Sequence, residues 1–259
     1  MADETVIRSR SNALIQRVRA LVSGKERDAI VLEGDRLVDD AVTAKRVIEV
    51  VLVAHDRIER AGELSNRGAR VQLVDAEILA QASALETSPG ILALGPLPQS
   101  IDLAQLALDT RSLVLVVAGI ADPGNLGALS RTAEAFGACA FVVIAGGASP
   151  WNAKALRGSM GSLLRLPVAH GIDADACSAV LGKRGARQVV ANTRGGADPS
   201  RFDWKGPLAL WVGAETGAMP AVTKRFEGVT IPIRTDVESL NVTVAASILL
   251  FAAGRVART

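Results

Sequence analysis

The chain has 259 residues, of which 49% are hydrophobic, 22% charged and 3% aromatic, with 29 Lys and Arg against 27 Asp and Glu. That length holds one large domain or two modest ones, and apolar runs broken by Gly, Asp and Arg read as a globular protein. A formal net charge of +2 excludes an argument for a nucleic-acid partner from the total, so the distribution of charge has to carry that point. The longest apolar stretch, Val242 to Ala253, is shorter than the roughly 20 residues of a spanning helix. The charged start MADETVIRSRSN lacks the apolar segment of an export signal, so a cytoplasmic protein without a membrane segment is expected. Cys139 and Cys177 have no metal-ligand spacing and fit a reduced compartment, and no metal is expected.

In chain order, the first 27 residues hold Arg8, Arg10, Arg17, Arg19, Lys25 and Arg27 against Asp3, Glu4 and Glu26. Ser11 or Asn12 caps a predicted helix Ala13–Val22, with Leu14, Val18, Leu21 and Val22 on one face and Arg17 and Arg19 toward solvent. Taken alone, an ordinary solvated helix face accounts for these arginines better than a nucleic-acid patch does. A short strand Ala29–Leu32, a helix Arg36–Ala44, and strands Val47–Val53 and Val71–Val74 around a polar helix Ile58–Ser65 follow. Strand Ile91–Leu94 closes a small α/β unit of ordinary domain size. Gly95-Pro-Leu-Pro98 reads as a break, followed by a short helix Ala104–Leu108. The expected organisation is a domain over 1–98, a linker over 99–110 and a second domain over 111–259.

The second half alternates strand and helix. Leu113–Ala118 is a continuous apolar run, as a buried parallel strand requires. Asp122-Pro-Gly-Asn125 is a turn, with Asn125 read as the cap of a helix from Leu126 to Phe136 that stops at Gly137. Strands Ala140–Ile144, Gln188–Ala191 and Leu208–Gly213 continue a parallel α/β fold with helices on both faces.

Three stretches here could carry chemistry. Arg131 and Glu134 share a helix face and could simply pair, while Asn125 stands where ligands bind in open α/β sheets, at the carboxyl edge. Strand Leu208–Gly213 runs into Gly213-Ala-Glu215-Thr-Gly217, where Gly213 admits a close ligand and Glu215 offers a carboxylate. Ile231-Pro-Ile-Arg-Thr-Asp-Val-Glu238-Ser239-Leu-Asn241-Val leads from a strand end into the apolar helix Val242–Ala253, with Ser239 or Asn241 as its cap. That helix is apolar nearly all round, which requires burial in the core or against a second subunit.

The order and spelling of these stretches resemble the three signature motifs of the SpoU/TrmH family of RNA 2′-O-ribose methyltransferases. Lys154-Ala-Leu-Arg157-Gly-Ser-Met-Gly-Ser-Leu-Leu-Arg165 is similar to the family's intermediate segment. Ser11-Asn12, Lys25-Glu-Arg27, Leu32-Glu-Gly-Asp-Arg-Leu-Val38 and Pro89-Gly-Ile-Leu-Ala resemble its accessory RNA-binding domain. Arg234 and Thr243 depart slightly from the pattern, and Thr243 keeps the hydroxyl of the commoner serine.

The resemblance implies a C-terminal parallel-sheet domain with a deep trefoil knot and a small L30e-like N-terminal α/β domain. It implies S-adenosylmethionine as cofactor, with Gly213, Ile231 and Leu240 lining its pocket. Asn125, Arg131, Glu134, Glu215, Ser239 and Asn241 would surround the methyl group and the ribose, and Arg17, Arg19, Arg27 and Arg157 would contact RNA. Because a guanidinium is a poor proton acceptor, Arg131 is read as gripping a phosphate and stabilising the alkoxide, while Glu134, Glu215 or the phosphate takes the proton. The family's habit of a two-fold interface implies a homodimer. Ribosomal RNA is the first expected substrate and transfer RNA the second, and an enzyme that modifies the ribosome against an antibiotic is a special case of the first. A non-catalytic RNA-binding protein is the other reading, opposed by the intact motifs. A nucleotide-dependent oxidoreductase lacks its Gly-x-Gly-x-x-Gly turn. His55 and His170 lie outside all three motifs.

Overall fold

Local chemistry sets where the first helix begins. In the computed structural model, which describes residues 6–213 and 219–257, helix α1 (Ala13–Val22) is capped by Asn12, whose Oδ1 accepts from the Leu14 N–H at 2.9 Å. The chain divides into two units, Met1–Gln99 with Trp151–Arg165, and Ser100–Pro150 with Leu166–Thr259.

The first unit is built on a four-stranded sheet of β1 (Ala29–Glu33), β2 (Val50–Ala54), β3 (Val71–Val74) and β4 (Ile91–Pro96), in the order β1-β4-β2-β3. Strand β4 runs antiparallel to both neighbours, and β2 and β3 are parallel. Three helices join these strands, α2 (Asp35–Thr43), α3 (Ile58–Asn66) and α4 (Ala76–Ala82). The predicted break at Gly95 is instead the end of β4, because Ile30 and Ala29 of β1 pair with Gly95 and Pro96. Val47, read as strand, is 71% exposed and precedes β2.

The second unit holds a six-stranded sheet of β5 (Leu113–Ala118), β6 (Ala140–Ile144), β7 (Val168–Ile172), β8 (Arg187–Ala191), β9 (Leu208–Gly213) and β10 (Glu227–Val229). Its order is β10-β8-β9-β5-β6-β7 and every pairing is parallel. Helix α5 (Pro123–Ala135) follows β5, α6 (Ala153–Ser159) and α7 (Ser162–Arg165) follow β6, α8 (Ala174–Lys183) follows β7, and α9 (Val242–Ala257) comes last. Alternate strand residues Val114, Val116, Val142, Val190 and Trp211 pack with Cys177 and Leu181 of α8. Helices α5 and α9 pack on each other, and α9 also packs on β9. Phe136 meets Phe251 edge to face at 5.8 Å.

Two local expectations change. The cap of α5 is Asp122, which accepts from the Gly124 N–H at 3.0 Å, and Asn125 sits inside the first turn. Pro123 explains the earlier start, since its missing N–H and fixed φ suit the first helical position. Residues 99–110 are not a free linker, because Leu103 is buried in the core of the second unit and Ile101, Leu106 and Leu108 pack against it. The predicted helix there is a single 3-10 turn, Leu103–Gln105.

The segment Trp151–Arg165, read from sequence as part of the second domain, belongs to the first unit. Helix α6 packs on β1. There the Glu33 side chain is 1% exposed and meets Arg157 Nη1 at 3.3 Å, while Ser83 Oγ donates to its other oxygen. Arg46 Nε donates to the Leu164 carbonyl at 2.6 Å, and Arg165 pairs with Asp40 at 3.4 Å.

Candidate active site

The carboxyl ends of parallel strands are where loops and helix starts expose unpaired backbone groups, and ligands in open α/β sheets gather there. At the end of β9, Gly213 leaves room for Met219. A Cβ on residue 213 would lie 2.1 Å from Met219 Sδ and 3.7 Å from the Ala118 carbonyl oxygen. The chain beyond β10 brings Ile231, Ser239 and Leu240 to the same place. Together with Gly213 they line a cavity of about 290 Å³, close to the lower end of the ~300–1,000 Å³ usual for small-molecule sites.

The wall is mainly apolar, with Val212, Met219, Ile233 and Leu249 joining Ile231 and Leu240, while Asn192, Thr193, Glu238 and Ser239 supply polar groups. Sequence reasoning missed Asn192 and Thr193. The signal that could have found them is a polar Asn-Thr-Arg-Gly-Gly directly after the apolar end of β8.

Asn241 caps α9, with its Oδ1 accepting from Thr243 N–H at 3.0 Å and Val244 N–H at 3.4 Å. This resolves the choice between Ser239 and Asn241 as cap and leaves Ser239 in the cavity wall. Asn125, Arg131, Glu134 and Asn241 are not among the residues lining this cavity. Asn125 and Glu134 are half-buried on α5, and Arg131 is exposed. Among the described residues Arg131 has no ion-pair partner, so the pairing with Glu134 that their spacing allows is not formed. Thr132, next to Arg131, meets Ser247 of α9 at 3.4 Å, so the helices of the first and third motifs touch. Glu215 lies outside the described residues.

The four arginines assigned to RNA fall in the first unit. Arg17 pairs with Asp28 at 3.6 Å and Glu49 at 3.4 Å. Arg19 and Arg27 are exposed, and Arg27 Nε reaches the Gly24 carbonyl at 3.4 Å. Arg157 is engaged with Glu33. Burial pushes the Cys177 thiol up to about 12 and raises that of Cys139 as well, so neither is an activated nucleophile. Among the described residues no group of His, Cys, Asp and Glu could hold a metal ion, and no helix is long and apolar enough to cross a membrane.

The profile of the SpoU rRNA methylase family matches residues 112–251, more than half of the chain. The chain belongs to the SpoU rRNA methylase family. Residues 12–93 match the MRM3-like substrate binding domain. This SpoU chain is 28% identical over 250 residues to the 23S rRNA (guanosine(2553)-2′-O)-methyltransferase RlmP of Bacillus subtilis, covering 95% of the chain and 97% of the relative. It is 32% identical over 200 residues to the 23S rRNA (guanosine-2′-O-)-methyltransferase RlmB of Salmonella typhi, covering 74% of the chain and 82% of the relative. Its fold matches the crystal structure of the SpoU methyltransferase AviRb from Streptomyces viridochromogenes in complex with AdoMet. The TM-score is 0.85 at 25% identity, over 96% of this chain and 99% of that one.

Proposed function

We propose that this chain transfers a methyl group from S-adenosylmethionine to a ribose 2′-hydroxyl of ribosomal RNA. The observation that carries this reading is the convergence of Gly213 at the end of β9 with Ile231, Ser239 and Leu240 from the chain beyond β10 on one cavity beside the carboxyl ends of parallel strands. The lining fits the cofactor, because apolar walls suit an adenine ring and Thr193, Glu238 and Ser239 supply a few polar groups for its hydrogen-bonding edge. When bound, the cofactor supplies an electrophilic methyl group. Ribosomal rather than transfer RNA is favoured by what the relatives from Bacillus subtilis and Salmonella typhi are named for.

The chain's own residues then position and stabilise. Arg131 grips the phosphate beside the target ribose and offsets the charge that develops on the attacking oxygen. A guanidinium stays protonated in proteins, so the proton passes to Glu134, to Glu215 or to that phosphate. Ser239 and Asn241 orient the incoming ribose, and Asn125 sits at the positive end of α5. The first unit reads the RNA through exposed Arg19 and Arg27, with Arg17 and Arg157 as further candidates. Structured RNA is recognised largely through backbone and 2′-hydroxyl contacts.

A second copy of the chain completes the assembly in this proposal. Val244, Ile248 and Phe251 are 48%, 40% and 45% exposed on α9, and their spacing places them on one face, as a two-fold contact requires. A trefoil knot in the second unit and a cytoplasmic setting belong to the same reading. The test is calorimetry. S-adenosylhomocysteine binds and NAD does not, and light scattering gives twice the 26.9 kDa chain mass. Binding of NAD without the adenosyl ligand contradicts the function, and a monomer across micromolar concentrations contradicts the assembly.

A further inference from the structure

The loop after β8 turns back across β10 and makes one wall of the cavity. Asn192 N–H donates to the Val229 carbonyl at 2.8 Å, Ala197 N–H to Gly228 at 2.8 Å, and Thr230 N–H to Ala197 at 2.9 Å. Gly196 N–H donates to Thr230 Oγ1 at 2.8 Å. The loop rests directly on the strand, since a Cβ on Gly196 would lie 2.7 Å from the carbonyl carbons of both Gly228 and Val229. These bonds fix the main chain of Asn192 and leave its carboxamide as the variable element.

Gly228, like Gly196, has no positive φ, so no backbone strain demands glycine there, but a side chain at 228 would meet a different neighbour. A Cβ there would meet the Gly196 Cα at 3.6 Å, an ordinary contact, but would fall 2.4 Å from Asn192 Nδ2 and 3.5 Å from Asn192 Cγ. The missing side chain at 228 therefore makes room for the amide of Asn192 in particular. Asn192 lines the cavity beside apolar Ala191, Val212 and Val229. Its side chain is exposed and has no hydrogen-bond partner among the described residues, so its two donors and acceptor oxygen are open to a molecule in the cavity.

We propose that Asn192 is a specificity-determining residue whose carboxamide, seated over Gly228, hydrogen-bonds the adenosyl ligand in the cavity. Gly228 is the positioning residue that admits it. The inference rests on the reading of this cavity as the adenosyl site.

The experiment is a four-member cycle, in which S-adenosylhomocysteine is titrated by calorimetry into the wild-type chain, Asn192→Ala, Gly228→Ala and the double variant. Asn192→Ala weakens binding about tenfold, the worth of one hydrogen bond. Gly228→Ala weakens it similarly by displacing the amide. The double variant binds like Asn192→Ala alone, because the added methyl group then has nothing to displace. A general packing defect at 228 would instead persist in the Asn192→Ala background, and that result overturns the positioning role. Wild-type binding with unchanged affinity in Asn192→Ala overturns the inference alone. A wild-type chain that binds no S-adenosylhomocysteine overturns the reading of the cavity and this inference with it.

Discussion

The arginines between α2 and α3 of the first unit and Arg131 of the second meet opposite fates. The former are closed onto acids, with Arg60 at 3.0 Å from Asp35, 2.7 Å from Asp39 and 2.9 Å from Glu63, and Arg57 at 3.1 Å from Asp35. On α5 of the second unit, Arg131 is exposed and without an ion pair among the described residues. A paired arginine is explained by its partner. An arginine left open on a helix that starts from the carboxyl edge of a parallel sheet is met by solvent, and the role proposed above gives it a substrate anion as partner.

The largest effect breaks the comparison at Arg131. Arg131→Ala leaves folding and adenosyl-ligand affinity near wild type, and methyl transfer falls by roughly a hundredfold to a thousandfold, as for the loss of one preorganised donor. Arg131→Lys recovers only a minor part if the fork geometry matters. Single-turnover methylation at saturating cofactor reads both. Near-wild-type transfer in Arg131→Ala would return the residue to an ordinary helix surface.

Next comes Arg157, expected to contact RNA but paired with the buried Glu33 in the structure. Arg157→Ala strands that carboxylate and destabilises the chain by about 2 kcal/mol. This is below the ~3–5 kcal/mol of breaking a fully buried pair, because the Arg157 side chain is 27% exposed. Adding Glu33→Gln recovers most of the loss in denaturant midpoint. An undiminished midpoint in Arg157→Ala would mean the pair is not what holds α6 to β1.

These two arginines also mark how far the sequence could be read. Continuous apolar runs gave β5, β6 and β9 to the residue, because buried parallel strands are apolar on both faces, and the order of motifs gave the family. The attachment of α6 and α7 to the first unit was not legible, since the partner strand β1 lies over a hundred residues earlier and periodicity carries no long-range address. Strand β10, three residues long, is too short for any alternation to show. Asn125 was misread as a cap because Asp122 and Asn125 are both good capping residues, and only Pro123 at the first helical position tells them apart. In the cavity, Gly213, Ile231 and Leu240 were legible through motif spelling. Asn192 was not, as its role depends on the glycine at 228.

A smaller effect sharpens the comparison within the first unit. Charge reversal at exposed Arg19 and Arg27 lowers the slope of log affinity for RNA against log salt by about one for each lost phosphate contact. Arg17→Glu adds less to that slope, because Arg17 already pairs with Asp28 and Glu49. An unchanged slope in the triple variant places the RNA surface elsewhere.

The smallest effect is in pH. Burial alone would raise the Asp39 carboxyl, but hydrogen bonds from Arg60 and Arg67 outweigh it and hold it below its ordinary value. The folded chain thus releases this proton more readily than the unfolded one, whose carboxyl titrates near ~3.9. Its stabilising contribution is present above that value and is lost as pH falls through the lower folded one. Asp39→Asn flattens this acid limb in denaturant midpoints taken between pH 7 and pH 3, and an unaltered limb would show that Asp39 does not contribute to it.

The central claim is methyl transfer to a ribose oxygen. A 2′-O-methyl group removes the nucleophile by which alkali cleaves RNA, so the product of this reaction resists hydrolysis at that one linkage. Methyl-labelled S-adenosylmethionine is incubated with the chain and 23S ribosomal RNA, and the RNA is then digested to completion in alkali. The account predicts label in an alkali-stable dinucleotide, lost with Arg131→Ala. Label released as a mononucleotide, which means methylation of a base, or no transfer by a chain that binds the cofactor, would contradict it.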